Sequence, residues 1–284
     1  MPADETNANQ TNVQEQFLEV RGLRKSFRLS VGAFNPAVDV AEDLAQRRLV
    51  VDGVAFSLAR GETLGIVGES GCGKTTLARM LLRLIEPDSG SIRFRGEDWL
   101  GAHGSQLRRL RRRIQMVFQD PVASLNPRMR IAAIVGEPLA IHEPGLVAGE
   151  RRQRVIRMLE EVGIGEDSLA RYPHEFSGGQ RQRIGIARAL ILHPELVIAD
   201  EPVSALDVSV GAQILELLDR LRREFSLALI LISHNLPVVA QLATRIAVMQ
   251  GGRFVEMGAA EQVLEAPQHD YTRALLAAVP RIPA

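Results

Sequence analysis

The stretch Gly68-Glu69-Ser70-Gly71-Cys72-Gly73-Lys74-Thr75 decides the fold. It has the spacing G-x-x-x-x-G-K-[ST] of a phosphate-binding loop. The apolar run 63–67 before it predicts a strand, and residues 76–82 after it predict a helix. The glycines let successive backbone N–H groups point at phosphate oxygens, and the positive end of the helix faces the same anion. The sequence therefore predicts an α/β protein that binds a nucleotide.

Two side chains of this loop add chemistry to the backbone. Lys74 supplies a positive charge for the β- and γ-phosphates, and Thr75 supplies a hydroxyl for Mg²⁺. The expected nucleotide-contacting residues of the loop are Gly68, Glu69, Ser70, Gly71, Cys72, Gly73, Lys74, Thr75 and Thr76. Cys72 is the only cysteine, which excludes an intramolecular disulfide and an all-cysteine metal site. It is either prone to oxidation or, the interpretation we favour, a small residue filling the loop.

Length and composition are those of an ordinary globular protein. The chain has 284 residues, of which 46% are hydrophobic and 24% charged, and its net charge is zero. No global basic field therefore recruits nucleic acid. The polar, acidic residues 1–16 predict a disordered tail without a secretory signal. The best apolar run, 227–232, has only the length of a strand, so we expect any link to a membrane to pass through a partner.

The N-terminal third alternates between strands and turns. Residues 17–23 alternate like a strand, and residues 50–58 predict a second one that turns into the strand before the phosphate-binding loop. The mixed stretch 28–48 is interpreted as an insertion or loop. The turn 87–90 leads into another alternating strand, 91–95.

A basic run and a long helical section follow. Residues 106–113 contain five arginines and predict a helix. We favour a solvated helix face or a face that meets an acidic partner, and a nucleic-acid patch is the alternative. Residues 114–118 predict a buried strand. From Ser124 to about Phe176 strand character disappears, and residues 150–162 predict an amphipathic helix. We expect a mostly helical subdomain inserted into the α/β core.

The stretch 176–183 predicts a second anion cradle. Ser177 is a good N-cap for a helix over 184–192, and Gly178 and Gly179 expose backbone N–H groups near its start. The α/β core does not need such a cradle. A plain helix cap explains this motif equally well by itself.

Two carboxylates end the next buried strand. The apolar residues 196–199 predict a parallel strand, and Asp200 and Glu201 follow at the end where such strands place active groups. Asp200 would help to hold Mg²⁺, and Glu201 would orient or deprotonate an attacking water. A surface acidic pair is the alternative. His234 ends the next strand, 227–232, and is either a phosphate sensor or a structural histidine.

The last third predicts a hairpin and a helix. Residues 246–250 and 253–256 flank a glycine pair and predict antiparallel strands. Residues 270–280, close to the C-terminus, predict a helical stretch and a short tail.

In their order these motifs resemble the ATPases of ABC transporters. The resemblance rests on the phosphate-binding loop, Gln119, the Ser177-Gly178-Gly179-Gln180 signature, Asp200-Glu201, the turn 204–207 and His234. The stretches 65–74 and 118–128 and the tail 271–280 are similar to the oligopeptide/dipeptide importer subfamily, although Asp270 stands where that subfamily usually has proline.

The resemblance implies a fold and its divisions. The expected fold is the phosphate-loop ATPase fold of ABC proteins, with a mixed sheet core, an antiparallel β subdomain and an inserted α-helical subdomain. The ATPase domain would span 17–267, its helical subdomain about 124–180, and an importer-type tail 268–284. The tail contains no cysteine, so an iron–sulfur site is not expected.

The resemblance also implies roles for individual residues toward ATP and Mg²⁺. Gln119 would reach the metal and the attacking water, and His234 would touch the γ-phosphate. Residues 177–180 would contact ATP held by a second ABC ATPase subunit in a head-to-tail dimer, with Asp207 acting across the same interface. Phe27 is the candidate for stacking on adenine.

The expected function is ATP hydrolysis that drives import of a peptide or similar solute. The partners implied are a paralogous or identical ATPase subunit, two transmembrane permeases that dock on residues 124–176, and an external solute-binding protein acting indirectly. The chain would sit peripherally on the cytoplasmic face of the inner membrane. The alternatives are a soluble ABC protein acting on DNA or ribosomes, disfavoured by a single signature and no heptad run, and a regulatory subunit without turnover, disfavoured by Glu201 and His234.

Overall fold

The computed structural model describes residues 17–28 and 47–278. The predicted tail 1–16, most of the predicted insertion 28–48 and the last residues of the predicted tail 268–284 lie outside the described residues. The predicted insertion was too wide at both ends, because Arg28 belongs to the first strand and Arg47 and Arg48 belong to the second. Backbone pairing between these residues extends both strands beyond their apolar cores.

The described residues form ten strands and ten α-helices. The strands are β1 (Leu18–Arg28), β2 (Arg47–Leu58), β3 (Thr63–Val67), β4 (Ser89–Phe94), β5 (Glu97–Asp98), β6 (Ile114–Val117), β7 (Leu196–Asp200), β8 (Ala228–Ser233), β9 (Arg245–Gln250) and β10 (Arg253–Ala259). The helices are α1 (Lys74–Leu81), α2 (Gly104–Arg111), α3 (Pro121–Ser124), α4 (Ile131–His142), α5 (Ala148–Glu161), α6 (Gly178–Leu190), α7 (Val208–Glu224), α8 (Leu236–Ala240), α9 (Ala260–Glu265) and α10 (Asp270–Ala277).

A six-stranded sheet forms the centre, in the order β10-β9-β3-β8-β7-β6. Its strands from β9 to β6 run parallel, and β10 pairs antiparallel with β9 as the predicted hairpin requires. Every residue of β3, β7 and β8 is buried, which explains their unbroken apolar sequences. The carboxyl ends of β6, β7 and β8 therefore meet beside the loop that follows β3.

A separate antiparallel sheet has the order β2-β1-β4-β5. Its apolar face packs on a core that includes Phe17, Phe94 and Trp99, with the ring centroids of Phe17 and Phe94 4.9 Å apart. The mixed central sheet together with this antiparallel sheet confirms the predicted fold class.

The section between β6 and β7 contains no strand among the described residues. Its helices pack around apolar side chains such as Val155 and Leu159 of α5, which agrees with the predicted amphipathic helix. Helix α6 begins at Gly178, earlier than the predicted start at Ile184, because the signature glycines themselves take helical geometry after the Ser177 cap. No helix in the described part of the chain has the length and apolar character needed to cross a membrane.

The arginine-rich run forms α2, and several of its arginines meet partners within the chain. Arg112 pairs with Glu143 at 2.5 Å, and Arg113 pairs with Glu195 at 2.5 Å. Arg108 and Arg109 are exposed, which agrees with the favoured solvated face, whereas Arg112 and Arg113 meet carboxylates of the same chain.

Candidate functional site

The phosphate-binding loop packs closely on the backbones of two strands. Gly68 has a φ of 156°, and a Cβ there would lie 2.1 Å from the carbonyl oxygen of Met249 in β9. Gly73 has a φ of 115°, and a Cβ there would lie 2.5 Å from the carbonyl oxygen of Val50 in β2. Both the backbone conformation and the available space require glycine at these two positions.

Lys74 places its charge inside the loop. The side chain is buried, and its Nζ donates to the carbonyl oxygens of Gly68 at 2.7 Å and Glu69 at 2.8 Å. Cys72 Sγ lies 3.8 Å from the same ammonium. Burial nevertheless raises the pKa of the Cys72 thiol, which keeps it protonated and favours the interpretation of a small residue filling the loop.

Asp200 ends β7 with its carboxylate buried beside α1. It is 2% exposed, and within the described chain no hydrogen-bond partner meets its Oδ1. Burial raises the pKa of Asp200, while a hydrogen bond from the Thr75 hydroxyl opposes the shift. A buried carboxylate oxygen without a partner is costly unless a cation meets it. Oxygen donors of this kind fit Mg²⁺.

The structure brings Glu201, Gln119 and His234 together from the ends of three neighbouring strands. Gln119 Nε2 donates to Oε2 of Glu201 at 2.9 Å, and His234 Nδ1 lies 3.2 Å from Oε1. Glu201 has a φ of 46°, and its backbone N–H donates to the carbonyl oxygen of Ile232 at 2.8 Å. The carboxylate is thus held on both oxygens, with 12% of its side chain exposed.

The signature forms a capping box at the start of α6. Ser177 Oγ accepts from the Gln180 backbone N–H at 3.3 Å, and the Ser177 N–H donates to Gln180 Oε1 at 3.0 Å. A Cβ on Gly179 would lie 2.5 Å from Val210 Cγ1, so this turn packs closely on α7. Asp207 lies at the N-cap of α7, exposed and without a capping hydrogen bond from its side chain.

The signature residues do not line the cavity that contains the metal-binding candidates. A cavity of about 700 Å³ is lined by Thr75, Gln119 and Asp200 together with residues of α4 and α6. None of residues 177–180 lines this cavity. Residues 177–180 therefore do not belong to the cavity that holds Thr75, Gln119 and Asp200.

Phe27 lies near the end of β1 and is 39% exposed. It pairs with Arg48 of β2, two residues before Val50, whose carbonyl oxygen faces Gly73. The Lys25 ammonium lies 5.7 Å from the centre of its ring. The aromatic ring is therefore available on the sheet that borders the phosphate-binding loop.

Residue-by-residue interpretation missed one contact of the loop. The backbone N–H of Glu69 donates to the phenolic oxygen of Tyr271 at 3.1 Å. Tyr271 belongs to the C-terminal tail that carries the subfamily resemblance, and that motif was the only signal in the sequence.

Comparisons with known proteins agree with this geometry. The model of the ABC transporter family matches residues 51–204, and the model of the oligopeptide/dipeptide transporter C-terminal region matches residues 255–284. The oligopeptide transport ATP-binding protein AppF of Bacillus subtilis is 49% identical over 268 residues, covering 94% of this chain and 79% of AppF. The oligopeptide transport ATP-binding protein OppF of Salmonella typhimurium is 53% identical over 230 residues, covering 81% of this chain and 69% of OppF.

A solved structure of the dimeric ATP-binding cassette MJ0796, bound to ADP and Pi after hydrolysis, superposes with a TM-score of 0.73. It is 26% identical in sequence, and the alignment covers 86% of this chain and 98% of MJ0796. The family model covers more than half of the chain, and the relatives above are about half identical over most of it. The chain belongs to the ABC transporter family.

Proposed function

We propose that this chain is the ATP-hydrolysing subunit that energises an importer for dipeptides or oligopeptides. The observation that carries the catalytic part is the Glu201 carboxylate, held by Gln119 and His234 at the strand ends beside the phosphate-binding loop. The peptide part is supported by the names of AppF and OppF and by the match of residues 255–284 to a peptide-transporter C-terminal region.

The loop and Lys74 bind the phosphates of ATP. Lys74 exchanges its contacts with the Gly68 and Glu69 carbonyl oxygens for oxygens of the β- and γ-phosphates, so its charge moves little. Thr75, Asp200 and Gln119 are the residues that would hold Mg²⁺. The bound ion supplies positive charge that offsets the charge on the transferring phosphoryl group.

Glu201 acts on the attacking water. Its carboxylate accepts a hydrogen bond from the water and takes its proton as the oxygen approaches the γ-phosphorus. Gln119 fixes one carboxylate oxygen and His234 lies against the other, so the base keeps its orientation. His234 also contacts the γ-phosphate and thereby reports whether ATP or ADP is bound.

The signature completes a site on a second subunit. Residues 177–180 expose the start of α6 as an anion-binding surface away from this chain's own metal-binding candidates. Two ATPase subunits, identical or paralogous, therefore close head to tail, and Asp207 acts across their interface. The dimeric state of MJ0796 supports this arrangement.

The adenine base stacks on Phe27. The ring is exposed and lies on the strand pair that borders Gly73. An aromatic face stacks on a planar base without contacting the hydrogen-bonding groups at the edge of that base. The interaction therefore adds affinity and little specificity.

The helical section binds the permeases. The cavity that contains Gln119 opens past Leu84 and Phe118, which are 55% and 39% exposed, and Pro138 of α4 lines it. A short helix from each of two transmembrane permease subunits fits such a partly apolar groove. Because the groove reaches Gln119, docking there couples permease shape to the hydrolytic site. The chain is thereby held peripherally on the cytoplasmic face of the inner membrane, and the external solute-binding protein acts through the permeases.

Purification of the tagged chain with its native partners tests this function. We expect two permease-like membrane proteins to co-purify and Mg²⁺-dependent ATPase activity to be lost in Lys74→Ala. EDTA removal of Mg²⁺ gives the same loss with the partners still attached. Co-purification of ribosomes or DNA without any membrane protein would refute the importer and favour the nucleic-acid-associated alternative, while ATP binding without turnover would favour a regulatory subunit.

A further inference from the structure

The C-terminal helix α10 reaches the phosphate-binding loop through one side chain. The phenolic oxygen of Tyr271 accepts the backbone N–H of Glu69 at 3.1 Å, across 202 residues of sequence. None of the roles assigned above uses this bond. It joins the region that distinguishes the peptide-transporter relatives to the loop that all nucleotide binding depends on.

A carboxylate on β10 anchors the segment that precedes Tyr271 and so sets the position of Tyr271. Glu256 accepts the backbone N–H groups of Gln268 at 2.8 Å and of His269 at 3.0 Å. His269 Nδ1 in turn accepts the backbone N–H of Tyr271 at 3.1 Å and caps α10. The Tyr271 ring packs against the main hydrophobic core. The phenol is therefore directed at the loop by an anchored segment.

The peptide between Gly68 and Glu69 is held from both sides. Its N–H, on Glu69, meets Tyr271, and its carbonyl oxygen, on Gly68, accepts Lys74 Nζ at 2.7 Å. The β9–β10 turn adds a second C-terminal contact, because the Gly252 N–H donates to the Cys72 carbonyl oxygen at 3.0 Å. Both the early and the later part of the loop are thus tied to the C-terminal third of the chain.

We propose that Tyr271 is a positioning residue for nucleotide binding. Its hydroxyl fixes the orientation of the Gly68–Glu69 peptide, whose carbonyl oxygen accepts Lys74 Nζ, and so the place where the ammonium rests before it meets phosphate. A loop already held in its binding shape loses less conformational freedom when the nucleotide arrives, which raises affinity. The C-terminal region of this importer ATPase therefore contributes directly to its affinity for ATP.

Glu69 and Ser70 are exposed, so water competes with the phenol for this N–H. The expected effect is that of one ordinary hydrogen bond, about a two- to tenfold change in affinity. Tyr271 does not touch the reacting groups, so the effect belongs to binding and not to the chemical step. A change in KM and Kd with an unchanged kcat therefore distinguishes a positioning residue from a catalytic one.

The test is Tyr271→Phe in the full chain, which removes the hydroxyl and keeps the ring in the core. We expect KM for ATP and the Kd of a fluorescent methylanthraniloyl-ADP to rise about two- to tenfold with kcat unchanged. The matched control is Asp270→Asn, the neighbouring residue on the same helix, whose carboxyl is 95% exposed; its KM should stay at the native value. Unchanged KM and Kd in Tyr271→Phe, or tighter binding, would overturn the proposal.

A double-mutant cycle tests the route through Glu256. Glu256→Ala removes both acceptors that anchor residues 268 and 269, and we expect it to raise KM as Tyr271→Phe does. KM for ATP in the double variant should be no higher than in Glu256→Ala alone, because both changes break the same connection. Effects that multiply would show that Glu256 does not act through Tyr271. A fall in melting temperature without any change in KM would assign the segment a structural role only and refute the proposal.

Discussion

Glu201→Gln is the substitution that most directly tests the hydrolytic site. Glutamine has the same length and shape as glutamate, so the positive φ of 46° is occupied by a residue of equal bulk. Its side-chain oxygen can still accept from Gln119 Nε2, which lies 2.9 Å from the carboxylate in the native chain. The change therefore removes the proposed base and leaves the packing.

Two magnitudes decide how the result is interpreted. The contact between Glu201 Oε1 and His234 Nδ1 changes, but His234 is half exposed, so the cost to stability is at most about 1 kcal/mol. Loss of a general base lowers kcat by about 10²- to 10⁴-fold, which corresponds to about 3–5 kcal/mol of transition-state free energy. The kinetic effect thus exceeds any effect of partial unfolding.

The assay combines single-turnover ATP hydrolysis with equilibrium ATP binding on the same preparation. We expect binding to stay native and the ATP-bound dimer to accumulate, since closure no longer leads to hydrolysis. The control is Glu216→Gln, an exposed glutamate on α7, which should hydrolyse ATP at the native rate. A native rate in Glu201→Gln would refute the role of this carboxylate, and a loss of ATP binding would show that it holds the nucleotide instead.

Two further substitutions test local structure. Ser177→Ala removes the oxygen that accepts the Gln180 N–H, so urea unfolding should show a loss of about 1 kcal/mol; ATPase activity should fall much further, and activity that merely tracks the folded fraction would contradict a role toward the partner's nucleotide. Asp88→Asn tests an ion pair: partial burial raises the pKa of Asp88, but hydrogen bonds from Lys25 and Ser26 outweigh it and lower the pKa to about 2. The pair therefore stabilises the fold above pH 4 and loses this effect as the pH falls through 2. The variant should be about 1 kcal/mol less stable at pH 7, after allowance for solvent screening, and equal to the native chain below pH 2. A constant difference across this range would contradict the linkage.

Much of the fold was readable because its elements satisfy local rules. The run 63–67 forms β3 in the predicted place, and the apolar runs before Asp200 and His234 form β7 and β8. These strands are buried on both faces, so their sequences carry an uninterrupted apolar signal. These strands pair in parallel, and the parallel pairing brings the ends of β6, β7 and β8 together.

Other features depend on contacts that no local pattern encodes. The start of α6 at Gly178 is fixed by the capping box and by packing of Gly179 on Val210, neither of which the predicted helix over 184–192 took into account. The bond from Glu69 to Tyr271 spans 202 residues and involves a backbone N–H, which leaves no trace in side-chain spacing. The tail motif marked the right segment without showing what it touches.

The backbone of Glu201 has a conformation that local sequence rules do not predict. A glutamate with a φ of 46° costs about 1–2 kcal/mol relative to the usual helical or extended conformations. No sequence rule predicts it, because the residue after a buried strand would normally continue extended. The conformation is held by the N–H bond to Ile232 and by contacts of both carboxylate oxygens with Gln119 and His234. The strained conformation turns the side chain out of line with the strand and keeps its carboxylate in the cluster with Gln119 and His234. A departure from local preference at this residue therefore supports the proposed role of Glu201 in hydrolysis.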